Sequence, residues 1–301
     1  MTTAITNSVS FSSSRIKHFT PLASPHSYCK PFSSNLCCKN SRKNSVDVYP
    51  NDVANRVLMD IQNSGIIACL RAQSAEVAIE AARAALRGGV SVIHPGISIS
   101  QYYFLVSQTQ ALQCLVQEYP SASIGVGTVL DREDAKDALK LGAKFLMSPA
   151  TVKEILDDVA ECQALYIPGV TTPTEILFAS NAGAKIIKVY PVSALGGVEY
   201  IAALKKPFPH IPMVASQGIT LDSVGQYIAR GASAVVLSDA IFDKNAMGER
   251  NFLLINQLAC SAAFKGNEAL IHTDVLFCSE RLILHGSLDG ELVPNPVKFT
   301  E

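Results

Sequence analysis

The chain has 301 residues, of which 48% are hydrophobic and 17% are charged. This composition is typical of a globular protein with one large core or two modest ones, and it excludes a disordered chain. No run approaches the roughly eighteen uninterrupted apolar residues of a transmembrane helix, so none is predicted. The formal net charge of −1 gives no support to a nucleic-acid-binding function.

Residues 1–46 differ in composition from the rest. They contain six of the 25 basic residues and none of the 26 acidic ones, and they are rich in Ser, Asn and Thr. A secretory signal would need an apolar core, which is absent. The composition predicts an organellar transit peptide, for the plastid rather than the mitochondrion because Ser so outnumbers Arg. The alternative is a disordered tail without a targeting role.

From residue 53 onward, segments typical of helices and strands alternate. Helices are predicted at Val53–Asn63, Ala75–Leu86, Tyr102–Glu118, Arg132–Leu141, Val152–Cys162, Thr174–Asn181, Val198–Lys205, Leu221–Arg230 and Asn251–Phe264. Strands are predicted at Ile66–Leu70, Val90–Ile93, Ile124–Val129, Phe145–Met147, Leu165–Ile167, Ile186–Tyr190, Met213–Ala215 and Ala234–Leu237. Several helices end at a glycine, as C-terminal caps do.

Eight strand–helix units predict an α/β protein, a (β/α)8 TIM barrel forming a single domain at residues 50–264. An open doubly wound sheet is the rival, but no G-x-G-x-x-G motif opens a helix after the first strand. Residues 265–301 do not continue the alternation of strand-like and helix-like segments and are expected to form a C-terminal extension. Within it, the two candidate strands are Asp274–Cys278 and Arg281–Leu284.

The eight cysteines have no metal-ligand spacing. Scattered cysteines with apolar neighbours usually behave as small hydrophobic residues in a reducing compartment. This interpretation predicts neither a zinc site nor a disulfide framework.

Lys188 stands out among the polar residues that follow the predicted strands. In a barrel of this kind the active site lies at the carboxyl ends of the strands. Lys188 interrupts an otherwise apolar run, Ile186–Tyr190. Burial would lower its pKa and provide a free amine that can attack a ketone. The alternative is an exposed lysine extending from the strand end.

Six motifs occur in a characteristic order along the chain: Leu70–Ala72, Gly125–Val129, Ser148–Pro149, Pro168–Glu175, Lys188–Pro191 and Lys206–Pro209. Their order resembles that of the KDPG/KHG aldolase family, the 2-keto-3-deoxy-6-phosphogluconate and 4-hydroxy-2-oxoglutarate aldolases. The resemblance spans about residues 54–245. The run P-G-V-T-T-P-T-E followed by K-V-Y-P is specific in combination.

The resemblance implies that Lys188 forms a Schiff base with the C2 carbonyl of pyruvate or of a 2-keto acid. It implies that Arg71 and Thr128 hold the carboxylate and neighbouring oxygens, and that Pro149 and Tyr190 shape the pocket. It requires no metal and no organic cofactor. It also suggests a homotrimer.

The sequence departs from the family in two places. His94 stands where the family has a glutamate that shuttles protons, and an imidazole can serve as general acid and base near neutrality. Where the family cradles phosphate with Gly-Gly and Gly-Ser, this chain has Ser216, Gln217 and Gly218, then Ser238 and Asp239. A carboxylate at Asp239 would repel phosphate, which predicts a non-phosphorylated 2-keto acid such as 4-hydroxy-2-oxoglutarate.

Three functions therefore stay open from the sequence. The leading one is a class I aldolase that cleaves a 2-keto-4-hydroxy acid to pyruvate and an aldehyde. The second is a phosphate-binding barrel with isomerase or transferase activity. The third is a catalytically impaired barrel with a binding or regulatory role. No nucleic-acid or membrane partner is expected.

Overall fold

The computed structural model describes residues 52–95, 102–159 and 164–286. Its strands are β1 Ile66–Leu70, β2 Val92–Pro95, β3 Ser123–Ile124, β4 Val126–Gly127, β5 Phe145–Met147, β6 Leu165–Ile167, β7 Gly169–Val170, β8 Ile187–Val189, β9 Met213–Ser216 and β10 Ala234–Leu237. Its α-helices are α1 Val53–Ser64, α2 Ala75–Arg87, α3 Tyr102–Glu118, α4 Arg132–Lys140, α5 Lys153–Val159, α6 Pro173–Asn181, α7 Val198–Lys205, α8 Val224–Ala229, α9 Lys244–Gly248 and α10 Phe252–Gly286. Short 3₁₀ helices lie at Val192–Leu195 and Leu221–Ser223.

The ten strand segments form a closed parallel barrel with eight strand positions. One residue, Gly125, separates β3 from β4, and one residue, Pro168, separates β6 from β7, so each pair is a single interrupted strand. Neighbouring positions pair in parallel around the ring, and β1 pairs with β10 to close it. Closure with helices outside the sheet confirms the predicted (β/α)8 barrel and excludes the open doubly wound sheet.

Local sequence explains how the helices around the barrel begin. The side chain of Ser74 accepts a hydrogen bond from the amide of Val77 and caps α2. Thr172 and Glu175 form a capping box at the start of α6, with Pro173 at its first position. Each device satisfies amide groups that have no partner within the helix. α6 therefore starts directly after the loop that leaves β7.

Helix α1 closes the amino-terminal end of the barrel. Its buried residues Ala54, Val57 and Ile61 pack against inward-facing side chains of the strands, including Ile67 and Phe145. This cluster is separate from the larger outer core between the sheet and the surrounding helices. Burying a side chain of Ile or Phe size contributes roughly 1.5–3 kcal/mol. These packed apolar groups close the amino-terminal end of the barrel interior.

The chain after residue 264 differs from the expectation. The segments considered as strands, Asp274–Cys278 and Arg281–Leu284, are helical, because α10 runs without a break from Phe252 to Gly286. The expected end of the barrel at residue 264 also falls inside this helix. Beyond it, Gly266 packs so closely on α1 that a Cβ there would lie 2.4 Å from the carbonyl oxygen of Ser64. A lack of helical periodicity in the apolar residues concealed this continuation.

Smaller differences concern element ends. β2 lies two residues later than predicted, at Val92–Pro95, and the helix predicted at Leu221–Arg230 is a 3₁₀ turn followed by α8. The prediction of a leader at residues 1–46 lies outside the described residues. So do residues 160–162 of the predicted fifth helix and residues 287–301. No helix in the described part of the chain has the length and apolar character needed to cross a membrane.

Candidate active site

Lys188 lies inside the barrel with its amine near the open end. It is the central residue of β8, and only 7% of it is exposed. Side chains alternate between the two faces of a strand, and Ile186, two residues earlier, belongs to the inner core. Lys188 therefore also faces the interior. Its Nζ lies 4.9 Å from the centre of the Tyr190 ring. The interpretation of Lys188 as an exposed surface lysine is wrong.

The electrostatic surroundings of Lys188 favour the free amine. Burial lowers the pKa of the amine to about 8; the nearby Cys69 thiol opposes this effect, and the Arg71 guanidinium adds to it. Among the described residues, no carboxylate lies within 4.0 Å of this amine. A lysine with a pKa near 8 has roughly a tenth of its amine uncharged at pH 7, far more than an ordinary lysine has, and the uncharged form is the nucleophile.

His94 also faces the interior of the barrel, from β2, where its register partner is Cys69. It is a residue of β2 and is only 5% exposed. Its ring packs edge-to-face on Phe145, with ring centres 6.2 Å apart. On another side, a Cβ on Gly127 would lie 3.1 Å from Nδ1 and Cε1 of the ring, so the glycine leaves room for the imidazole. Both ring nitrogens are buried and lack a hydrogen-bond partner of ordinary geometry within the described structure.

Cys69 is a site residue that the sequence interpretation missed. It is the register partner of His94, because β1 and β2 pair with Cys69 opposite His94. It faces the interior with Ile67 and is 7% exposed. Burial raises the pKa of the thiol, but His94, then Arg71 and Lys188, outweigh burial and lower the pKa to about 7. The period of two along β1 could have indicated this position, since Cys69 shares a strand face with Arg71.

Arg71 and Thr128 occupy the rim of the cavity. Arg71 follows β1 and Thr128 follows β4, and both residues are exposed. The guanidinium is close enough to affect the pKa values of both Cys69 and Lys188. Both residues thus lie at the carboxyl ends of strands, where the predicted roles in carboxylate binding require them.

Pro149 and Tyr190 are half-buried residues on the other side of the rim. Pro149 follows β5, and Gly169 approaches it so closely that a Cβ on the glycine would lie 2.1 Å from the carbonyl carbon of Pro149. Ser148 donates a hydrogen bond to the carbonyl of Val129, and this bond fixes the end of β5. The position of Pro149 is therefore set by backbone packing.

The loop after β9 carries three predicted site residues. Ser216 is buried at the strand end, whereas Gln217 and Gly218 are exposed. Gln217 has φ 89°, a backbone conformation that favours glycine. Its side-chain oxygen accepts a hydrogen bond from the hydroxyl of Ser193. The loop thus keeps a glycine-type backbone, while the glutamine side chain projects toward Ser193.

Asp239 lies in a cleft of about 690 Å³ next to the rim. The cleft is lined by Arg71, Ser238, Asp239, Phe242, Lys244 and Arg250, among others. Asp239 is exposed, and one of its carboxylate oxygens lies 3.6 Å from Nζ of Lys244. Arg250 is engaged by Glu76 at 3.1 and 3.3 Å. The cleft therefore holds charges of both signs that largely pair with each other.

A closed parallel barrel with a buried lysine of lowered pKa is the arrangement typical of one class of protein, the lyases that work through a lysine imine. Within the described residues, no cluster of three or more His, Cys, Asp or Glu side chains could hold a metal ion. Comparison with known proteins then identifies the family. The family description "KDPG and KHG aldolase" matches residues 57–258. The chain belongs to the KDPG and KHG aldolase family.

Individual relatives agree with this assignment. The chain is 29% identical over 172 residues to 2-dehydro-3-deoxy-phosphogluconate aldolase of Dickeya dadantii, covering 55% of this chain and 78% of the relative. It is 28% identical over 172 residues to the KHG/KDPG aldolase of Escherichia coli, with the same coverage. These relatives confirm the resemblance found in the sequence motifs.

Solved structures share the fold. A native KDPGal structure superposes with a TM-score of 0.60 at 25% identity, covering 68% of this chain and 95% of that one. The KDPG aldolase of Legionella pneumophila, with pyruvate captured as a covalent carbinolamine, superposes with a TM-score of 0.60 at 24% identity over 67% of this chain and 96% of that one. The barrel of this protein is therefore an aldolase-type barrel.

Proposed function

We propose that this protein is a class I aldolase that cleaves a 2-keto-4-hydroxy acid to pyruvate and an aldehyde. The observation that carries the proposal is the buried amine of Lys188, whose pKa of about 8 lies close to neutrality. Family membership supports the same reaction. No comparison supports the alternative of an impaired barrel with a binding or regulatory role.

The reaction follows from the position of this amine. The neutral amine of Lys188 attacks C2 of the substrate, and loss of water gives an iminium ion. A base removes the proton of the C4 hydroxyl, the C3–C4 bond breaks, and its electrons move to the iminium nitrogen. The aldehyde leaves, the enamine takes a proton at C3, and water releases pyruvate from the lysine.

His94 is proposed as the group that moves these protons. It is a buried imidazole on β2, opposite Cys69 of β1, and its ring nitrogens have no hydrogen-bond partner among the described residues. An imidazole can act as both general acid and general base. Arg71 and Thr128 are proposed to hold the substrate carboxylate at the rim, and Pro149 and Tyr190 to shape the pocket.

The substrate is proposed to be non-phosphorylated, as 4-hydroxy-2-oxoglutarate is. The exposed carboxylate of Asp239 faces the cleft next to Arg71, and Gln217 replaces a glycine with a bulkier side chain next to Ser193. Both features disfavour a phosphate near Ser216 and Gly218. A kcat/KM for the phosphorylated sugar acid well above that for 4-hydroxy-2-oxoglutarate would overturn this part of the proposal.

Borohydride reduction with labelled pyruvate tests the central claim. We expect one label per chain on the peptide containing Lys188, and no label in Lys188→Met. The matched control is Lys185→Met, because Lys185 lies three residues earlier but is exposed and donates to Asn55. Label that persists in Lys188→Met, or label that is absent from the wild type, contradicts the aldolase mechanism.

We also propose a homotrimer and a plastid location. The trimer rests on the family resemblance and on the adjacent exposed apolar residues Leu177 and Phe178 of α6. Light scattering of the wild type and of Phe178→Glu tests the trimer.

The plastid location rests on the acid-free, serine-rich composition of residues 1–46. A fluorescent protein fused behind these residues should enter plastids, and diffuse cytosolic fluorescence would contradict the proposal.

A further inference from the structure

Cys69 is a buried thiol inside the proposed active site that the aldolase mechanism does not use. Neighbouring strands lie about 4.8 Å apart, so register partners that face the same side bring their side chains together. Cys69 and His94 are register partners on β1 and β2. Both side chains are more than nine-tenths buried, and His94 and Lys188 are both close enough to the Cys69 thiol to lower its pKa.

The Cys69 thiol can supply a negative charge next to the Lys188 amine. The groups that influence its amine are Cys69 and Arg71, and of these only the thiol can become negative. When the iminium forms, the cavity holds that cation, Arg71 and, in its acid form, the imidazolium of His94. The family glutamate would supply a negative charge here, but the imidazole that replaces it cannot.

We propose that Cys69 and His94 form a thiolate–imidazolium pair that serves as the acid–base unit of the active site, with Cys69 supplying the negative charge that a glutamate supplies elsewhere in the family. This inference rests on the proposed aldolase function. Cys69 is a positioning residue in it, because the thiolate stabilises the protonated imidazole, and His94 exchanges protons with the substrate.

The protons balance over the cycle. The imidazolium donates a proton to the carbinolamine hydroxyl, which leaves as water, and the neutral imidazole then takes the proton of the C4 hydroxyl. The regained proton goes to C3 of the enamine. The imidazole recovers a proton from the water that hydrolyses the imine. The thiolate keeps its charge throughout, so no oxidant or reductant is needed.

The titration of the Cys69 thiol is set by a small number of neighbouring groups. His94 on β2, Arg71 after β1 and Lys188 on β8 are the charged or titratable side chains that act on the thiol. All three favour the thiolate, and burial opposes it. Removing the imidazole should therefore shift the titration of Cys69 to higher pH.

The first experiment measures the thiol directly and needs no aldolase activity. Alkylation by iodoacetamide is followed over pH at the peptide containing Cys69, by mass spectrometry, in the full-length wild type and in His94→Asn. We expect an inflection near pH 7 in the wild type. If the variant titrates near the ordinary thiol pKa of about 8.5, its alkylation rate at pH 7 falls roughly 15-fold. The rate at the exposed Cys260 serves as the internal reference and should not change.

The second experiment separates a charge effect from a structural one. Cys69→Ser keeps the size of the side chain but removes the anion. Because Cys69 opposes the lowering of the Lys188 pKa, the pH midpoint of pyruvate trapping should move to lower pH in this variant. We also expect kcat to fall at least tenfold with little change in KM. Cys260→Ser, on the surface of α10, is the matched control.

The outcomes distinguish the two proposals. An unchanged Cys69 inflection in His94→Asn, or an unchanged trapping midpoint and kcat in Cys69→Ser, overturns the thiolate–imidazolium pair while leaving the aldolase intact. If wild-type protein traps no pyruvate but the Cys69 inflection moves in His94→Asn, the pair exists and the aldolase function fails. A shift in both experiments supports the pair in the proposed role.

Discussion

Replacing Lys188 by methionine should stabilise the folded protein while abolishing imine formation. The amine is nearly buried, and its pKa falls from 10.5 to about 8 on folding. The folded state therefore binds the proton less tightly than the unfolded chain. At neutral pH this difference corresponds to a cost of about 3 kcal/mol. Methionine has a similar length and carries no charge.

Part of the stabilisation expected for Lys188→Met is offset by the loss of a contact with Tyr190. The ammonium of Lys188 lies over the Tyr190 ring at 4.9 Å, and such a contact contributes about 0.5–2 kcal/mol. We therefore expect a net stabilisation of about 2 kcal/mol at pH 7. The cost of the lysine is fully present below pH 8, decreases as the pH rises from about 8 to 10.5, and vanishes above this range. The stability difference should decrease in the same way.

Urea unfolding of the wild type and Lys188→Met at pH 7 and at pH 9.5 measures the effect. The control is Lys185→Met, which removes an exposed lysine bound to Asn55 and should give no gain. Equal stability of Lys188→Met and the wild type at pH 7, or a gain that does not shrink at pH 9.5, would refute the argument that burial sets the Lys188 pKa.

Four further substitutions test other parts of the structure. Gly169→Ala should destabilise the protein by about 3 kcal/mol or more in urea unfolding, since its Cβ would lie 2.1 Å from the backbone of Pro149. Ile61→Ala should lower stability by about 2–4 kcal/mol by opening a cavity under the barrel, with the pH profile of imine trapping unchanged. Glu175→Ala should cost about 1 kcal/mol of thermal stability by breaking the capping box of α6. Asp239→Ser should raise kcat/KM for a phosphorylated substrate about five- to tenfold in steady-state kinetics, because about 1 kcal/mol of repulsion is removed.

The strands were predictable because each buried run is short, apolar and followed by a polar residue or a glycine. The runs at Phe145–Met147 and Ala234–Leu237 match the structure at both ends. Interruptions at Gly125 and Pro168 were not predicted, since pairing depends on neighbouring strands and not on the run itself. The helix beyond residue 264 was missed for a similar reason. Beyond residue 264, α10 packs against α1, but its apolar residues do not recur with a helical period.

The candidate site was predictable where motif and strand end coincide, as at Lys188 and His94. The inward position of Cys69 could be predicted from the strand face that it shares with Arg71, but its place in the site could not, because a buried cysteine with apolar neighbours resembles an ordinary small core residue. What gives it chemical significance is the register that places it opposite His94. Register is a property of two strands, and a single strand's sequence does not contain it.

The two ends of the barrel have opposite energetic roles. At the amino-terminal end, α1 buries Val57 and Ile61 against inward-facing apolar residues and stabilises the fold. At the carboxyl end, the same interior holds a lysine, a histidine and a thiol at the expense of stability. Strands of only a few residues separate the ends, so the apolar layer around Phe145 both supports the imidazole of His94 and belongs to the core beneath it. The burial that lowers the pKa of the Lys188 amine is therefore produced by the packing that holds the barrel together.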